Sequence, residues 1–279
     1  MKYPLLITAT FDAGRTPHVA LRDVQKRVEH HMEGLLAWFK DPLFDSIVFV
    51  KNCSTSICES VLYEVAEAHR KKFELLQVAS SALTEDHGKG YGEGHLISQA
   101  LVASKILQET DTFCKSTGKL YLCDAKNYFS ESTTGVFFTT PVSRTGHLWA
   151  WRRFIVSLYR TEWGAMLLAK LHRNCHIPWS FMAAAPRGWI DTRFYQVKKE
   201  FYKKRIELSY LRVQDALGYS LEAAYFDDLF PKPEVSILDQ NLNILGTSGT
   251  LGTTGGCFPL HIQKEARSLA AKLLLPSER

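Results

Sequence analysis

Ser46-Ile47-Val48-Phe49-Val50 is a short, continuously apolar run, the pattern of a strand buried on both faces in a helix-covered parallel sheet. Its surroundings fit that placement. Upstream, Val24, Val28, Met32, Leu35, Leu36 and Phe39 recur at helical spacing and predict a helix from about Val19 to Phe39, stopped by Asp41-Pro42. Leu5 to Phe11 predicts a first strand, followed by a turn with Gly14 and Pro17. Downstream, a helix is predicted over roughly Ser56 to Lys72, then a third strand over Phe73 to Val78. After a glycine-rich turn, Leu96, Ile97, Ala100, Leu101, Ser104 and Leu107 mark one face of another helix, and Lys119 to Asp124 a fourth strand. This alternation predicts an α/β, doubly wound sheet.

The second half is less regular. Val142 to Leu171 carries Trp149, Trp151, Phe154, Tyr159 and Trp163, and Phe194 to Val213 predicts a strongly basic helix. An amphipathic helix is predicted around Ile262 to Leu275, preceded by a polar Gly/Ser/Thr loop over 246–256. No repeat, low-complexity tract or clear linker divides the chain.

At 279 residues, 46% hydrophobic and 23% charged, the chain can bury a substantial core, which excludes a disordered tail, a disulfide-stapled miniprotein and a fibrous repeat. Its longest uncharged apolar runs are about ten residues, too short to cross a bilayer. The apolar run after Met1-Lys2 is broken by Pro4 and predicts a first strand rather than a signal peptide. Six cysteines form no CxxC pair and no zinc spacing, so buried thiols in a reducing compartment are expected. Thirty-four Lys and Arg against 29 Asp and Glu give +5, which suits an anionic ligand such as a nucleotide, or an anionic membrane surface, without requiring nucleic acid.

His87-Gly88-Lys89-Gly90-Tyr91-Gly92-Glu93-Gly94 carries the most chemical information. Glycines between a strand and a helix let backbone approach a ligand, and a helix N-terminus offers free N–H groups to an anion. The segment is neither the dinucleotide fingerprint, which belongs after the first strand, nor a Walker loop, because no Gly-Lys-Ser/Thr follows. Asp111 to Lys119 places Lys115 and Lys119 around a Thr117-Gly118 turn suited to a diphosphate or a sugar carboxylate.

The series Ile47-Val48-Phe49-Val50-Lys51-Asn52, Gly88-Lys89-Gly90-Tyr91-Gly92-Glu93 and Phe113-Cys114-Lys115-Ser116-Thr117-Gly118-Lys119 resembles a group of bacterial polysaccharide glycosyltransferases. Ile190-Asp191-Thr192-Arg193-Phe194, Gln214 to Glu222 and Ser248-Gly249-Thr250 continue the likeness, which runs from about Leu5 to Gly256. The resemblance implies a single GT-A-like domain over 1–279, with a nucleotide-sugar-binding half (1–130) and an aromatic-rich acceptor half (131–279). It implies transfer of a sugar, hexosyl or related, from a nucleotide sugar to a surface polysaccharide or lipid-linked glycan. The alternative is a non-catalytic nucleotide-sugar- or glycan-binding subunit of an assembly complex.

In site residues, the resemblance implies Thr8 and Phe11 of the first strand, with Lys51 and Asn52, at the nucleotide. It puts Lys89, Gly90, Gly92, Glu93, Lys115, Thr117, Gly118, Lys119 and Arg193 at the phosphates and donor sugar. Arg193 either binds phosphate or holds Asp191. Glu222 is the favoured general base, with Asp191 and Asp215 as rivals. The metal-holding Asp-x-Asp common in GT-A enzymes is missing at the expected place, where Lys115 and Lys119 precede a lone Asp124, and Lys119 stands where the group commonly has Arg. Metal-independent turnover is therefore expected, with a divalent cation still open. A cytoplasmic location with peripheral contact at the inner membrane completes the expectation, with no nucleic-acid partner.

Other clusters rank lower. His172-Arg173-Asn174-Cys175-His176 lacks a second ligand pair at metal spacing. His30-His31 lies in a helix and is expected to face solvent. Lys198, Lys199, Lys203, Lys204 and Arg205, with Phe201 and Tyr202, predict a solvated basic face, with anionic lipid or glycan docking second. No GxSxG elbow supports serine-hydrolase chemistry.

Overall fold

The computed structural model describes residues 3–16, 19–52, 55–128, 134–140, 189–215, 219–229, 232–239, 242–247 and 256–274. The tryptophan-rich stretch Val142 to Leu171, the His172–His176 cluster, Ser248-Gly249-Thr250 and Ala216 to Gly218 lie outside the described residues.

Leu5–Ala9 (β1), Ser46–Asn52 (β2), Lys72–Val78 (β3) and Thr112–Thr117 (β4) pair in parallel in the order β3-β2-β1-β4. Alternate residues of the two inner strands face opposite sides. Leu5, Ile7, Ile47 and Phe49 join one core, and Leu6, Val48 and Val50 the other. The first core is roofed by helix α1 (Val24–Lys40), α2 (Glu59–Ala68) and a C-terminal helix, Leu260–Leu274. The second is roofed by α4 (Lys89–Ala103), which follows the short α3 (Leu83–His87), and by later helices of the chain. Both faces of the apolar run at 46–50 are thus covered, which is why its pattern does not alternate.

Three elements differ from expectation for identifiable reasons. Helix α1 starts at Val24 because the Asp23 side chain caps it, accepting from Lys26 N at 2.8 Å. Helix α2 ends at Ala68, and Arg70 turns the chain at φ 54° so that Lys72 opens β3. The fourth strand is Thr112–Thr117, not Lys119–Asp124, with Phe113 and Cys114 facing opposite cores. After a four-residue helix, α5 (Lys105–Gln108), it pairs with β1 and leaves Leu120–Leu122 (β5) to pair antiparallel with a distant strand in a separate two-stranded sheet.

Phe194 to Val213 is not one helix. Phe194–Lys198 (β8) extends the sheet antiparallel to β4, then come α6 (Lys199–Arg205) and a 3₁₀ stretch over Glu207–Arg212. Beyond β8 lie β6 (Gly135–Thr140), β7 (Trp189–Ile190) and β9 (Ser236–Asp239), the last parallel to β6. Ile244–Gly246 (β10) is the partner of β5. Helices α7 (Leu221–Leu229) and α8 (Leu260–Leu274) complete the described elements. None of the helices described is long and apolar enough to cross a membrane. Of the described cysteines only Cys114 is buried; Cys58 is half-buried, and Cys123 and Cys257 are exposed.

The glycine-rich segment is the largest local correction. Gly90, Gly92 and Gly94 are not a turn but the first half of α4, and only Gly88 has left-handed backbone, at φ 103°. The glycines let other elements close on the helix: a Cβ at Gly94 would lie 2.1 Å from Tyr210 Cβ. Alanine there gains about 1 kcal/mol of helix propensity, but the overlap forces α4 off the 3₁₀ stretch at a larger cost. Gly94→Ala is expected to lose about 1–2 kcal/mol net, read by urea unfolding; equal or greater stability would contradict this packing.

Candidate active site

The chain leaves β1 toward β2 on one side and returns to pair with β1 through β4 on the other, so the strand order reverses between β1 and β4. At such a switch point a crevice opens beyond the carboxyl ends of the strands. Here it holds a cavity of about 100 Å³ lined by Thr8 of β1, Thr10 just after it, Thr117 of β4, and Lys119 in the turn after β4. Arg27 and His31 of α1, Lys89, Gly92 and Glu93 of α4, and Thr192, Arg193 and Glu222 close its sides. A wider lobe of about 530 Å³ shares Thr10, Ala13, Thr16, Thr84, Gly92 and Leu96 with it and reaches Asp12, Asn52 and Ser80.

Glu93 organises the floor. It forms a buried ion pair with Lys115, and its Oε1 accepts from Thr8 Oγ1 at 3.3 Å and Thr117 Oγ1 at 3.0 Å. Lys115 also donates to Thr117 Oγ1 at 3.0 Å and Thr192 O at 2.6 Å. Burial alone would raise the Glu93 pKa. The charges of Lys115 and Lys89 and the hydrogen bonds from Lys115 and Thr117 outweigh it and hold the carboxyl below its ordinary value. Lys115 is therefore beneath the cavity, engaged with Glu93, and does not line it.

The cationic side comes from α1 and the turn after β4. Arg27 and His31, i and i+4 on α1, share one face. The Arg27 guanidinium donates to the carbonyls of Thr10, Phe11 and Leu21, Nε lying 2.9 Å from Thr10 O. Burial, against the pull of Asp12, lowers its pKa to about 10. Lys119 is 4% exposed, and burial together with Arg27 and Lys89 brings its ammonium down to about 7. His31, expected to face solvent, is buried instead. Burial first, then Lys119 and Arg27, hold it well below the ordinary imidazole value and so neutral.

The facing wall carries the carboxylates. Arg193 clamps Asp191 from Nε at 2.9 and 3.0 Å and from one terminal nitrogen at 2.6 Å. Thr192 Oγ1 donates to Glu222 Oε1 at 3.1 Å, so Glu222, in the first turn of α7, faces the cavity. Asp215 is elsewhere: its Oδ2 accepts from Gly90 N at 2.9 Å, which holds the start of α4.

The remaining expected residues split between lining and support. Thr8, Lys89, Gly92, Glu93, Thr117, Lys119, Arg193 and Glu222 meet in the cavity, and Asn52 in the wider lobe. Asn52 accepts from Phe11 N at 3.2 Å and donates to Asp12 O at 3.0 Å, shaping the turn after β1. Phe11 and Lys51 are core residues; Lys51 Nζ donates to Thr55 O at 2.8 Å and sits 5.7 Å from the Phe11 ring centroid. Gly90 packs under Leu221, and Gly118 N donates to Thr8 O at 2.8 Å, a Cβ there falling 2.6 Å from His31 Nδ1. Arg27 and His31 are the residues the motifs do not reveal.

Among the described residues no three His, Cys, Asp or Glu side chains come together as a metal site. Around the cavity Glu93 is paired with Lys115 and Asp191 with Arg193, and Glu222 stands among Lys119, Arg27, Lys89 and threonine hydroxyls. That excess of cationic groups suits an anionic ligand.

Lys119 gives this electrostatics a measurable consequence. A phosphate anion beside it restores its proton, so binding inorganic pyrophosphate at pH about 8 is expected to take up close to one proton. Near pH 6, where Lys119 is already charged, its contribution to uptake should vanish. Calorimetric titrations in buffers of different ionisation enthalpy measure the uptake; equal values at both pH values, or in Lys119→Met, would contradict the assignment.

No family model matches the sequence, and no curated protein does. Solved structures do. The galactosyltransferase LgtC, in complex with donor and acceptor sugar analogues, aligns over 99% of this chain and 98% of its own, with TM-score 0.51 and 8% identity. Core-mannan synthase A from Aspergillus fumigatus, in its Mn/GDP form, aligns over 97% and 84% with TM-score 0.46 and 11% identity. The 4-diphosphocytidyl-2C-methyl-D-erythritol synthase from Anaerococcus prevotii aligns over 96% and 95% with TM-score 0.43 and 11% identity. At such identities the likeness is one of fold, and the fold of this chain is a GT-A-like α/β architecture.

Proposed function

We propose that this chain is a nucleotide-sugar-dependent glycosyltransferase that moves a hexosyl or related sugar to a bacterial surface polysaccharide or lipid-linked glycan. The observation that carries the reading is the convergence, at the β1/β4 switch point, of Lys119, Arg27 and Lys89 on one side and Glu222 on the other. The wider lobe takes the nucleoside. The cations take the diphosphate, whose terminal phosphate oxygen gains charge as its bond to the anomeric carbon breaks; fixed positive groups stabilise that charge most in the transition state. Glu222 removes the proton of the acceptor hydroxyl, with one carboxylate oxygen oriented by Thr192 and the other left to the acceptor. Of its rivals, Asp191 is engaged by Arg193 and Asp215 by the α4 backbone.

The reading includes turnover without a divalent cation. Activity in EDTA should match untreated enzyme, and complete loss restored by Mn²⁺ or Mg²⁺ would overturn that part. The reading as a whole is tested by incubating the protein with a panel of nucleotide sugars and following release of free sugar by NMR. Slow hydrolysis of one donor supports a transferase. Binding without hydrolysis or transfer would return the reading to a non-catalytic subunit, and no binding at all would remove both. A cytoplasmic location with peripheral contact at the inner membrane belongs to the same proposal.

A further inference from the structure

Phe201 and Tyr202 turn inward from the basic segment that follows β8. Tyr202 is fully buried, its hydroxyl 2.8 Å from that of Tyr225, and Phe201 packs partly against the same core. What the segment leaves outside is different. Lys203, Lys204 and Arg205 are exposed, and immediately after them Leu208 and Leu211 are 63% and 49% exposed. Three residues apart in a 3₁₀ stretch, these leucines stand one above the other on a single face.

A third apolar residue joins them from α4. Gly94 packs against Tyr210, and Ser98 Oγ donates to Glu207 Oε1 at 3.2 Å, so α4 runs antiparallel to the segment. One turn beyond Ser98, in the direction of α6, comes Val102, 62% exposed. The acids nearby are mostly engaged: Glu207 accepts from Ser98, and Asp228 pairs with Arg212, leaving Glu200 exposed. Large aliphatic side chains held out next to a run of three cations are the complement of an interface with apolar depth and negative charge.

We propose that Leu208 and Leu211, together with Val102 of α4 and with Lys203, Lys204 and Arg205, form a docking surface for an anionic phospholipid membrane. The leucines and valine enter the acyl boundary and the cations meet the phosphates, the two contributions adding. The surface rests on the proposed peripheral location and not on the transfer chemistry. It is offset from the crevice: the last α4 residue lining the cavity is Leu96, and Val102 lies about 9 Å further along the helix axis.

Sedimentation of the full chain with vesicles tests it. Phosphatidylcholine vesicles containing about 30% phosphatidylglycerol should bind at least about tenfold more protein than phosphatidylcholine alone, and raising salt from about 0.1 to 0.5 M should release it. Lys203→Glu/Lys204→Glu should abolish the binding and Leu208→Ser/Leu211→Ser should weaken it about tenfold. Lys264→Glu/Lys272→Glu on α8, across the sheet, should leave it intact. Pyrophosphate binding by every variant reports separately on fold and crevice, so a surface that fails does not count against the catalytic reading. Equal binding to both vesicle types, or no effect of either patch variant, would overturn the proposal. A wild-type dimer dissociated by the leucine changes would also overturn it, by making this a self-association face.

Discussion

Glu222→Gln is expected to lower kcat by about 10²–10⁴-fold while donor affinity stays within about twofold of wild type. The amide keeps the size of the side chain and the partner of Thr192, but it cannot accept the acceptor's proton as the new glycosidic bond forms. Donor Kd and turnover on one preparation separate this from a structural role, because a carboxylate that only favours its helix N-terminus contributes about 0.3–1 kcal/mol of stability and nothing to kcat. Asp191→Asn and Asp215→Asn run beside it as comparisons. Asp191→Asn should loosen Arg193 and raise KM, and Asp215→Asn should loosen the start of α4. Wild-type turnover in Glu222→Gln with a dead aspartate variant would reassign the base to that aspartate.

Lys115→Met is expected to cost about 3–5 kcal/mol of stability, because it leaves the Glu93 carboxylate buried without its counter-ion. Glu93→Gln/Lys115→Met should recover a large part of that loss, since removing both charges removes the desolvation cost as well. Urea unfolding of the single and double variants measures the coupling, and a Lys115→Met protein as stable as wild type would contradict the pairing. The same pair sets an acid limit. Glu93 has a folded pKa below its unfolded value, so its stabilisation is present above pH about 4.5 and is lost as pH falls through the folded value. Glu93→Gln should flatten the fall in melting temperature over that acid range.

The inner strands were legible because burial on both faces leaves a plain mark, as in Ile47 to Val50 and Leu5 to Ile7. β4 carries no such mark. Lys115 and Ser116 occupy its middle, and what makes burial of a lysine tolerable, Glu93, lies 22 residues away on α4. Long-range ion pairing leaves no local periodicity. The glycines of α4 misled for a related reason: glycine in a helix and glycine in a turn have the same local signature, and only Tyr210, Leu221 and Thr84 closing on them tell the two apart. Lys198, Lys199, Lys203, Lys204 and Arg205 gave one apparent helix where a strand and a helix meet.

In the candidate site, the resemblance brought together residues that the fold also brings together, from Thr8 through Thr117 and Lys119 to Glu222. It did not separate Lys119, which lines the cavity, from Lys115, which supports it. Both have the same strand parity, and the distinction follows only from where β4 ends: Lys115 lies within it and Lys119 in the turn beyond. Arg27 and His31 left a faint trace: both fall on the apolar stripe of α1, between Val24, Val28, Met32 and Leu35, where a charged residue needs a reason to be.

The central claim, that the β1/β4 crevice binds the diphosphate of a nucleotide sugar through Lys119, is tested most directly by equilibrium titration. The donor identified in the hydrolysis panel is titrated into wild type and Lys119→Met near pH 7 in moderate salt. Removing a charge-assisted contact to a buried phosphate is expected to weaken Kd by about 10- to 100-fold, with the melting temperature held or raised because a strained buried cation is gone. Equal affinity in the two proteins would contradict the claim.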